Sequence, residues 1–336
     1  MSWQEQLNGD TLAWLLEDNE PNVRYLALRD LLGRPAGDAE LQEARELAHR
    51  QGAIATVLNE MNPEGYWVKA GPGYGPKYHS TVWAMILLGQ LGASIECDPR
   101  IERACQYLCE HALTEYGQFS YNKAPGGTFD CLQGNLCAAL VSLGFDDPRL
   151  DKAFEWMART VTGEGIAPQG DKTTPLRYYA YKCGPNFACG ANEKLPCGWG
   201  AVKVMLAFGK LPAKKRTALI RDAIWQGAEF LLGVDPASAA YPTVGNINPN
   251  ASWWKFGFPV FYVTDILQNV EALVRCGYGG DPRLANALQY IREKQDANGR
   301  WAMEYDYAGK TWVKFGRKRQ PNKWVTLRAM QVLHTL

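Results

Sequence analysis

The stretch "DPRLDKAFEWM", residues 147–157, is one of three gapless repeats in this chain of 336 residues. "DPRIERACQYL" begins at Asp98, and "DPRLANALQYI" begins at Asp281. In each repeat, an Asp suited to capping a helix precedes a Pro at the first helical position, where a missing backbone N–H costs nothing. Apolar residues then recur at helical spacing, as Leu150 and Phe154 do here. Each repeat therefore predicts a helix with one buried and one exposed face.

Helices of a second kind lie between the repeats. Several of them carry apolar or small residues on nearly every face, which is typical of helices buried on every side. The predicted inner helices are 21–33, 80–92, 131–144, 197–209, 263–277 and 321–336. The predicted outer helices are the three repeats and the segments 11–18, 41–61 and 213–233. Six and six predict an all-α (α/α)6 toroid around a central cavity, built as one domain from residues 1–336.

The connections between helices repeat as well. A glycine followed by an aromatic residue comes after three outer helices, in "EGYW" (64–67), "YGQF" (116–119) and "NGRW" (298–301). Each connection leads into the next inner helix, so we expect all inner helices to begin at the same end of the ring.

Composition excludes several classes of function. Lys and Arg total 36 against 35 Asp and Glu, so a net charge of +1 gives no basic field for nucleic acid. No apolar run reaches the roughly 18 residues of a membrane span, and the first residues lack a signal-peptide pattern, so we expect a cytoplasmic protein. The basic stretch 310–323, with its interleaved aromatic residues, is expected to be a solvated loop; the alternatives are a surface that holds phosphates or stacks bases, and a site for a substrate diphosphate. The oligomeric state cannot be read from the sequence.

The repeats and their glycine–aromatic connections resemble those of the terpenoid cyclase and protein prenyltransferase superfamily of α/α toroids. The resemblance implies a cavity that opens where the inner helices begin and an isoprenoid-like substrate. The Asp-x-Asp-Asp proton donor of squalene-cyclase-type enzymes is absent from the sequence. "FDCLQGN" (129–135) is similar to the first half of the zinc pattern of the prenyltransferase β-subunits, although Asp130 and Cys131 are adjacent here and Val263 stands where the family has a histidine.

Chemically versatile residues lie near the predicted starts of the inner helices. The candidate catalytic residues are His79, Asp130, Cys131, Tyr262 and Asp265. The candidate zinc ligands are His79, Cys131, Cys189 and Cys197, and Cys183 is a further thiol of the same loop. Cys and His are common zinc ligands, and a helix N-terminus lowers the pKa of a nearby thiol. If the cysteines bind no metal, they are either acid–base groups or buried structural thiols.

Aromatic residues near the same helix starts are the candidate substrate-binding groups, namely Tyr78, Trp83, Trp199, Trp254, Phe261 and Trp324. The sequence therefore predicts an enzyme acting on a hydrophobic, isoprenoid-like substrate. One alternative is a metal-free Cys/His/Asp dehydratase or isomerase of terpenoid alcohols. Another is an (α/α)6 carbohydrate-active enzyme, whose two carboxylates would come from Asp130, Asp265, Glu304 and Asp306. The third is a toroid that binds a lipid or peptide without catalysis.

Overall fold

A computed structural model describes residues 3–166, 184–246 and 249–336 of the chain. Among these residues the regular secondary structure is helical, and extended segments form only isolated bridges. The predicted all-α class is confirmed. The described α-helices are, in chain order, α1 (Thr11–Leu15), α2 (Pro21–Asp30), α3 (Ala39–Arg50), α4 (Gly52–Asn59), α5 (Thr81–Leu91), α6 (Pro99–Ala112), α7 (Asp130–Ser142), α8 (Pro148–Thr162), α9 (Gly198–Lys210), α10 (Ala218–Leu232), α11 (Ile266–Leu273), α12 (Ala285–Glu293) and α13 (Lys323–Thr335).

The helices α2, α5, α7, α9, α11 and α13 form an inner ring. Consecutive members from α5 to α13 pack against one another, and α13 packs against α2. The amide of Asn22 in α2 donates to the Leu91 carbonyl at the end of α5, at 3.4 Å, and closes the ring. The backbones of α7 and α9 approach most closely at Gly134. A Cβ atom at this position would lie only 2.4 Å from the carbonyl carbon of Lys203.

The three repeats begin their outer helices as predicted. The carboxylates of Asp98, Asp147 and Asp281 accept from the backbone N–H two residues later, at 2.8–2.9 Å. The arginine that follows each proline folds back onto the same carboxylate, as Arg149 does on Asp147 at 2.8 Å. Each Asp therefore caps its helix and holds an ion pair at the same time.

Two of the glycine–aromatic connections share one set of hydrogen bonds. The indole N–H of Trp67 donates to the Val57 carbonyl at 2.7 Å, and that of Trp301 donates to the Ile291 carbonyl at 2.7 Å. Both indoles thus satisfy a carbonyl in the last turns of the preceding outer helix. The backbone N–H of Trp67 also donates to the Thr81 hydroxyl, so the connection joins the outer helix to the first turn of α5.

The predicted outer helix 41–61 is two helices in the structure. α3 and α4 meet at Gly52, whose φ of +74° lies in the left-handed region that favours glycine. The predicted inner helix 263–277 begins later than expected, because Asp265 caps α11 by accepting from the Gln268 N–H at 2.7 Å.

Candidate functional site

Residues 257–263 run into the N-terminal end of the inner ring, and we call this segment the plug. The Gln90 side chain of α5 pairs with both the N–H and the carbonyl of Val260, at 2.8 and 2.7 Å. Asn135 of α7 donates to the Phe261 carbonyl at 3.2 Å. These amides satisfy the buried backbone of the plug, which would otherwise be costly to remove from water.

Aromatic side chains close the same end of the ring. Tyr78 packs between Phe261, at 5.4 Å between ring centroids, and Tyr307, at 4.6 Å. Its hydroxyl donates to the Tyr262 hydroxyl at 3.2 Å, and burial raises the pKa of Tyr78. Phe261 and Trp83 are buried within this group. The prediction that the cavity opens where the inner helices begin is therefore wrong, because the plug and these aromatic rings fill that end.

A carboxyl group and three thiols come together beside this closed end. Asp130, in the first turn of α7, is buried, and its Oδ2 has no hydrogen-bond partner among the described residues. Burial, together with the Cys189 thiol, raises the pKa of Asp130 well above its usual range. Burial and the neighbouring Asp130 raise the pKa of Cys131 to about 12. A hydrogen bond with Cys189 raises the pKa of Cys197, and burial raises it further.

These four groups lie together, and the zinc site proposed for the cysteines stays a prediction. Within residues 3–166, 184–246 and 249–336, no three His, Cys, Asp or Glu side chains are placed to hold a metal ion. His79 packs edge-on against Trp312, at 5.2 Å between ring centroids. Cys183, the remaining thiol of the predicted set, lies outside the described residues. Burial favours the neutral thiols, so the cysteines would have to lose their protons to bind zinc.

Asp265 belongs to a buried ion pair. Its two carboxylate oxygens accept from the two terminal nitrogens of Arg328 in α13, each at 3.0 Å, and both side chains are buried. The pair joins α11 to α13, and Arg328 also donates to the Gly257 carbonyl of the plug at 2.7 Å.

The carboxylates of the predicted sugar-cleaving pair are engaged elsewhere. Glu304 accepts from Lys294 at 2.6 Å, and Asp306 accepts from Lys318 at 3.1 Å. Asp265 is paired with Arg328, so Asp130 alone of the four has no ion-pair partner among the described residues, whereas glycoside hydrolysis needs two carboxyl groups. This geometry argues against a carbohydrate-active enzyme.

The central cavity opens at the opposite end, where the inner helices finish. It measures about 540 Å³, within the range of about 300 to 1,000 Å³ for small-molecule sites. The plug residues Phe258 and Val260 form its floor. Of the aromatic residues predicted to bind substrate, Trp324 lies on the cavity wall, stacked on Phe258 at 4.3 Å. Trp254 instead donates its indole N–H to the Ala237 carbonyl at 2.8 Å, and Trp199 is half-buried against the core.

Charged side chains surround the mouth of this cavity. Arg29 pairs with Asp30 at the end of α2, and Arg275 pairs with Glu271 at 2.9 Å beside the end of α11. Lys210, the last residue of α9, donates to the Ser142 hydroxyl of α7 at 2.8 Å. Burial, reinforced by Arg275, lowers the pKa of Lys210 to about 8. The mouth therefore carries three cations and two carboxylates.

A second buried lysine lies behind the cavity wall. Lys203 of α9 is buried and donates to the Gln268 side chain, which lines the cavity. Burial lowers the pKa of Lys203 to about 7, although the nearby Asp265 carboxylate acts in the opposite direction.

The sequence interpretation missed the cavity mouth, although the sequence held a signal for it. The inner helices that are apolar along most of their length become charged in their last turns, at Arg29, Lys210, Glu271 and Arg275. Charge at one end of an otherwise buried helix indicates where solvent enters.

Comparisons with known proteins return likenesses to solved structures. Neither a protein-family model nor a curated protein matches the chain. The type II terpene cyclase MstE from Scytonema, solved with its product merosterolic acid A, is 12% identical with a TM-score of 0.31, over 87% of this chain and 96% of that one. Its complex with the substrate geranylgeranyl dihydroxybenzoate gives 13% identity and a TM-score of 0.30, over 87% and 95%. A protein from Actinoplanes is 14% identical with a TM-score of 0.29, over 87% and 99%.

None of the described helices combines the length and the apolar character that crossing a membrane requires. With TM-scores near 0.3, the overlap with the solved structures is too loose to assign chemistry. The described residues form an all-α protein in which inner helices surround a cavity with a charged mouth.

Proposed function

We propose that this chain is a terpene cyclase-like enzyme whose central cavity takes an amphiphilic, isoprenoid-like substrate with an anionic head group. The cavity itself carries the proposal, because apolar side chains line part of its deeper wall, beside several amides, and charged side chains surround its mouth. A purely hydrophobic substrate, as predicted from the sequence, would make no use of the positive charge that Lys210 adds to the mouth.

The deeper wall suits the apolar body of such a substrate. Leu26, Ile86, Leu206, Leu327 and Trp324 line it and are buried in the protein. Burying a hydrocarbon chain against them would contribute about 25 cal/mol for each Å² removed from water. The stacked faces of Phe258 and Trp324 would also favour positive charge developing on that chain.

The mouth suits an anionic head group. Arg29 and Arg275 each hold one carboxylate, and Lys210 holds the Ser142 hydroxyl instead, so one positive charge is in excess. The inner helices end here, and their partly negative carbonyl ends oppose an anion, so the excess charge of the side-chain cations must provide the attraction. A carboxylate or phosphate entering this group of cations would gain charge-assisted hydrogen bonds.

The zinc site remains a prediction of the sequence. Asp130, Cys131, Cys189 and Cys197 lie together, and Asp130 Oδ2 is a buried oxygen without a hydrogen-bond partner among the described residues. His79 is not part of that group, and the described residues do not supply three ligands. No step of the proposed activity is therefore assigned to a metal.

Calorimetric titration with farnesol and farnesoic acid tests the proposal, because the two ligands share one hydrocarbon chain and differ in charge. We expect farnesoic acid to bind about tenfold more tightly, which corresponds to about 1.4 kcal/mol. Arg29→Gln should remove most of that preference. Arg50→Gln, an exposed arginine on α3 that pairs with Glu46, is the matched control and should keep it.

A cavity-filling variant locates the binding site. Ala138 lines the cavity from α7, so Ala138→Phe should abolish binding of both ligands while the circular dichroism spectrum remains unchanged. Equal affinity for the two ligands, or undiminished binding to folded Ala138→Phe, would contradict the proposal.

A further inference from the structure

The side-chain amine of Lys210 stands out among the charged groups of the cavity mouth. Arg29 and Arg275 are tied to carboxylates, whereas no carboxylate of the described residues forms an ion pair with Lys210. Its amine donates instead to the Ser142 hydroxyl, at 2.8 Å. Both residues line the cavity and both are half-buried, so a ligand in the cavity can reach the amine.

We propose that Lys210 is a covalent carbonyl-capturing residue, which forms an imine with an aldehyde or ketone that carries an acidic group and enters the central cavity. The inference uses the cavity of the proposed function, but it does not require the ligand to be isoprenoid-like.

The bond changes in this step balance without a cofactor. The neutral nitrogen of Lys210 bonds to the carbonyl carbon, both amine protons leave with the carbonyl oxygen as water, and the imine nitrogen takes one proton from solvent. A lysine placed in a desolvated pocket or next to another cation is activated for this reaction. The partly negative C-terminal end of α9 and the Glu271 carboxylate would stabilise the cationic imine that results.

The surroundings of Lys210 keep a useful fraction of it neutral. Burial lowers its pKa to about 8, the cations Arg275 and Arg29 act in the same direction, and Glu271 and Asp30 act against them. At about pH 7.5, an amine with this pKa has on the order of 100-fold more neutral form than an ordinary lysine.

Ser142 is a positioning residue in this scheme. Its hydroxyl donates to the Ala138 carbonyl at 2.8 Å, which leaves its lone pairs to accept from Lys210. That hydrogen bond aims the amine across the cavity mouth and stabilises the ammonium form.

Reductive trapping with glyoxylate and cyanoborohydride tests the inference on the intact chain. Glyoxylate is a small aldehyde with a carboxylate, and its reduced imine leaves a carboxymethyl group that peptide mass spectrometry assigns to one lysine. We expect Lys210 to be modified at least tenfold faster than exposed Lys214. Buried Lys203 should stay unmodified.

The pH profile separates a chemical role from a structural one. The trapping rate at Lys210 should rise with a midpoint near pH 8, and Ser142→Ala should move the midpoint to lower pH, because the ammonium loses its hydrogen-bond acceptor. Modification of Lys210 no faster than Lys214 in the folded protein would overturn the inference, as would an unmoved midpoint in Ser142→Ala.

The two proposals fail in different ways. If farnesoic acid binds but glyoxylate does not modify Lys210, only the carbonyl-capturing role is lost. If Lys210 is modified but neither farnesol nor farnesoic acid binds, only the isoprenoid-like substrate is lost.

Discussion

Replacing Arg328 with methionine should cost far more stability than replacing an exposed arginine. Arg328 is buried, pairs with both oxygens of Asp265 at 3.0 Å, and donates to the Gly257 carbonyl of the plug at 2.7 Å. Removing one partner of a buried pair leaves the other charge uncompensated, which costs about 3 to 5 kcal/mol. The lost bond to Gly257 also leaves a buried carbonyl without that donor, so we expect the upper end of this range.

Urea unfolding followed by circular dichroism measures the free energy of unfolding. Arg50→Met, in an exposed pair with Glu46 on α3, is the control and should lose less than about 0.5 kcal/mol. The double variant Asp265→Asn, Arg328→Met should be more stable than Arg328→Met alone, because asparagine carries no charge and still caps α11. A loss below about 1 kcal/mol in Arg328→Met, or no recovery in the double variant, would refute this reasoning.

Two further predictions concern the other buried groups. Burial lowers the pKa of Lys203 to about 7, whereas the value in the unfolded chain is about 10.4. Between these two pH values the unfolded state binds more protons than the folded state. The free energy of unfolding should therefore rise with pH across that window. Lys203→Met should therefore be more stable than the parent at neutral pH and flatten the pH dependence of unfolding, whereas exposed Lys255→Met should do neither. The zinc prediction is tested by elemental analysis of protein purified without chelator: one zinc per chain, lost in Cys131→Ser and kept in Cys276→Ser, would support it. Substoichiometric zinc in the unmodified protein would contradict the zinc prediction.

The helical ring was predictable because it depends on local patterns. An Asp-Pro cap followed by an apolar stripe, as at Asp147, needs no knowledge of distant residues. The glycine–tryptophan connections behave similarly, since Trp67 bonds a carbonyl only ten residues away.

The open end of the cavity was not predictable in the same way. It depends on how residues 257–263 enter the ring, and the hydrogen bonds that hold them come from Gln90 and Asn135, each more than a hundred residues away in sequence. No local pattern carries such a pairing. The candidate residues at the helix starts did converge in part, because Asp130, Cys131, Cys189 and Cys197 lie together, but His79 lies against Trp312 instead.

The neutral thiol cluster has a consequence for how the protein withstands oxidants. Alkylating agents and peroxide react with thiolates, and a pKa of about 12 leaves Cys131 at neutral pH with a thiolate fraction on the order of a thousandfold below that of an ordinary cysteine. The raised pKa of Cys197 protects it in the same way. Cys131 lies in the first turn of α7 and Cys197 caps α9, positions where a thiol is usually activated, yet both should resist iodoacetamide and air oxidation for as long as the inner ring stays folded.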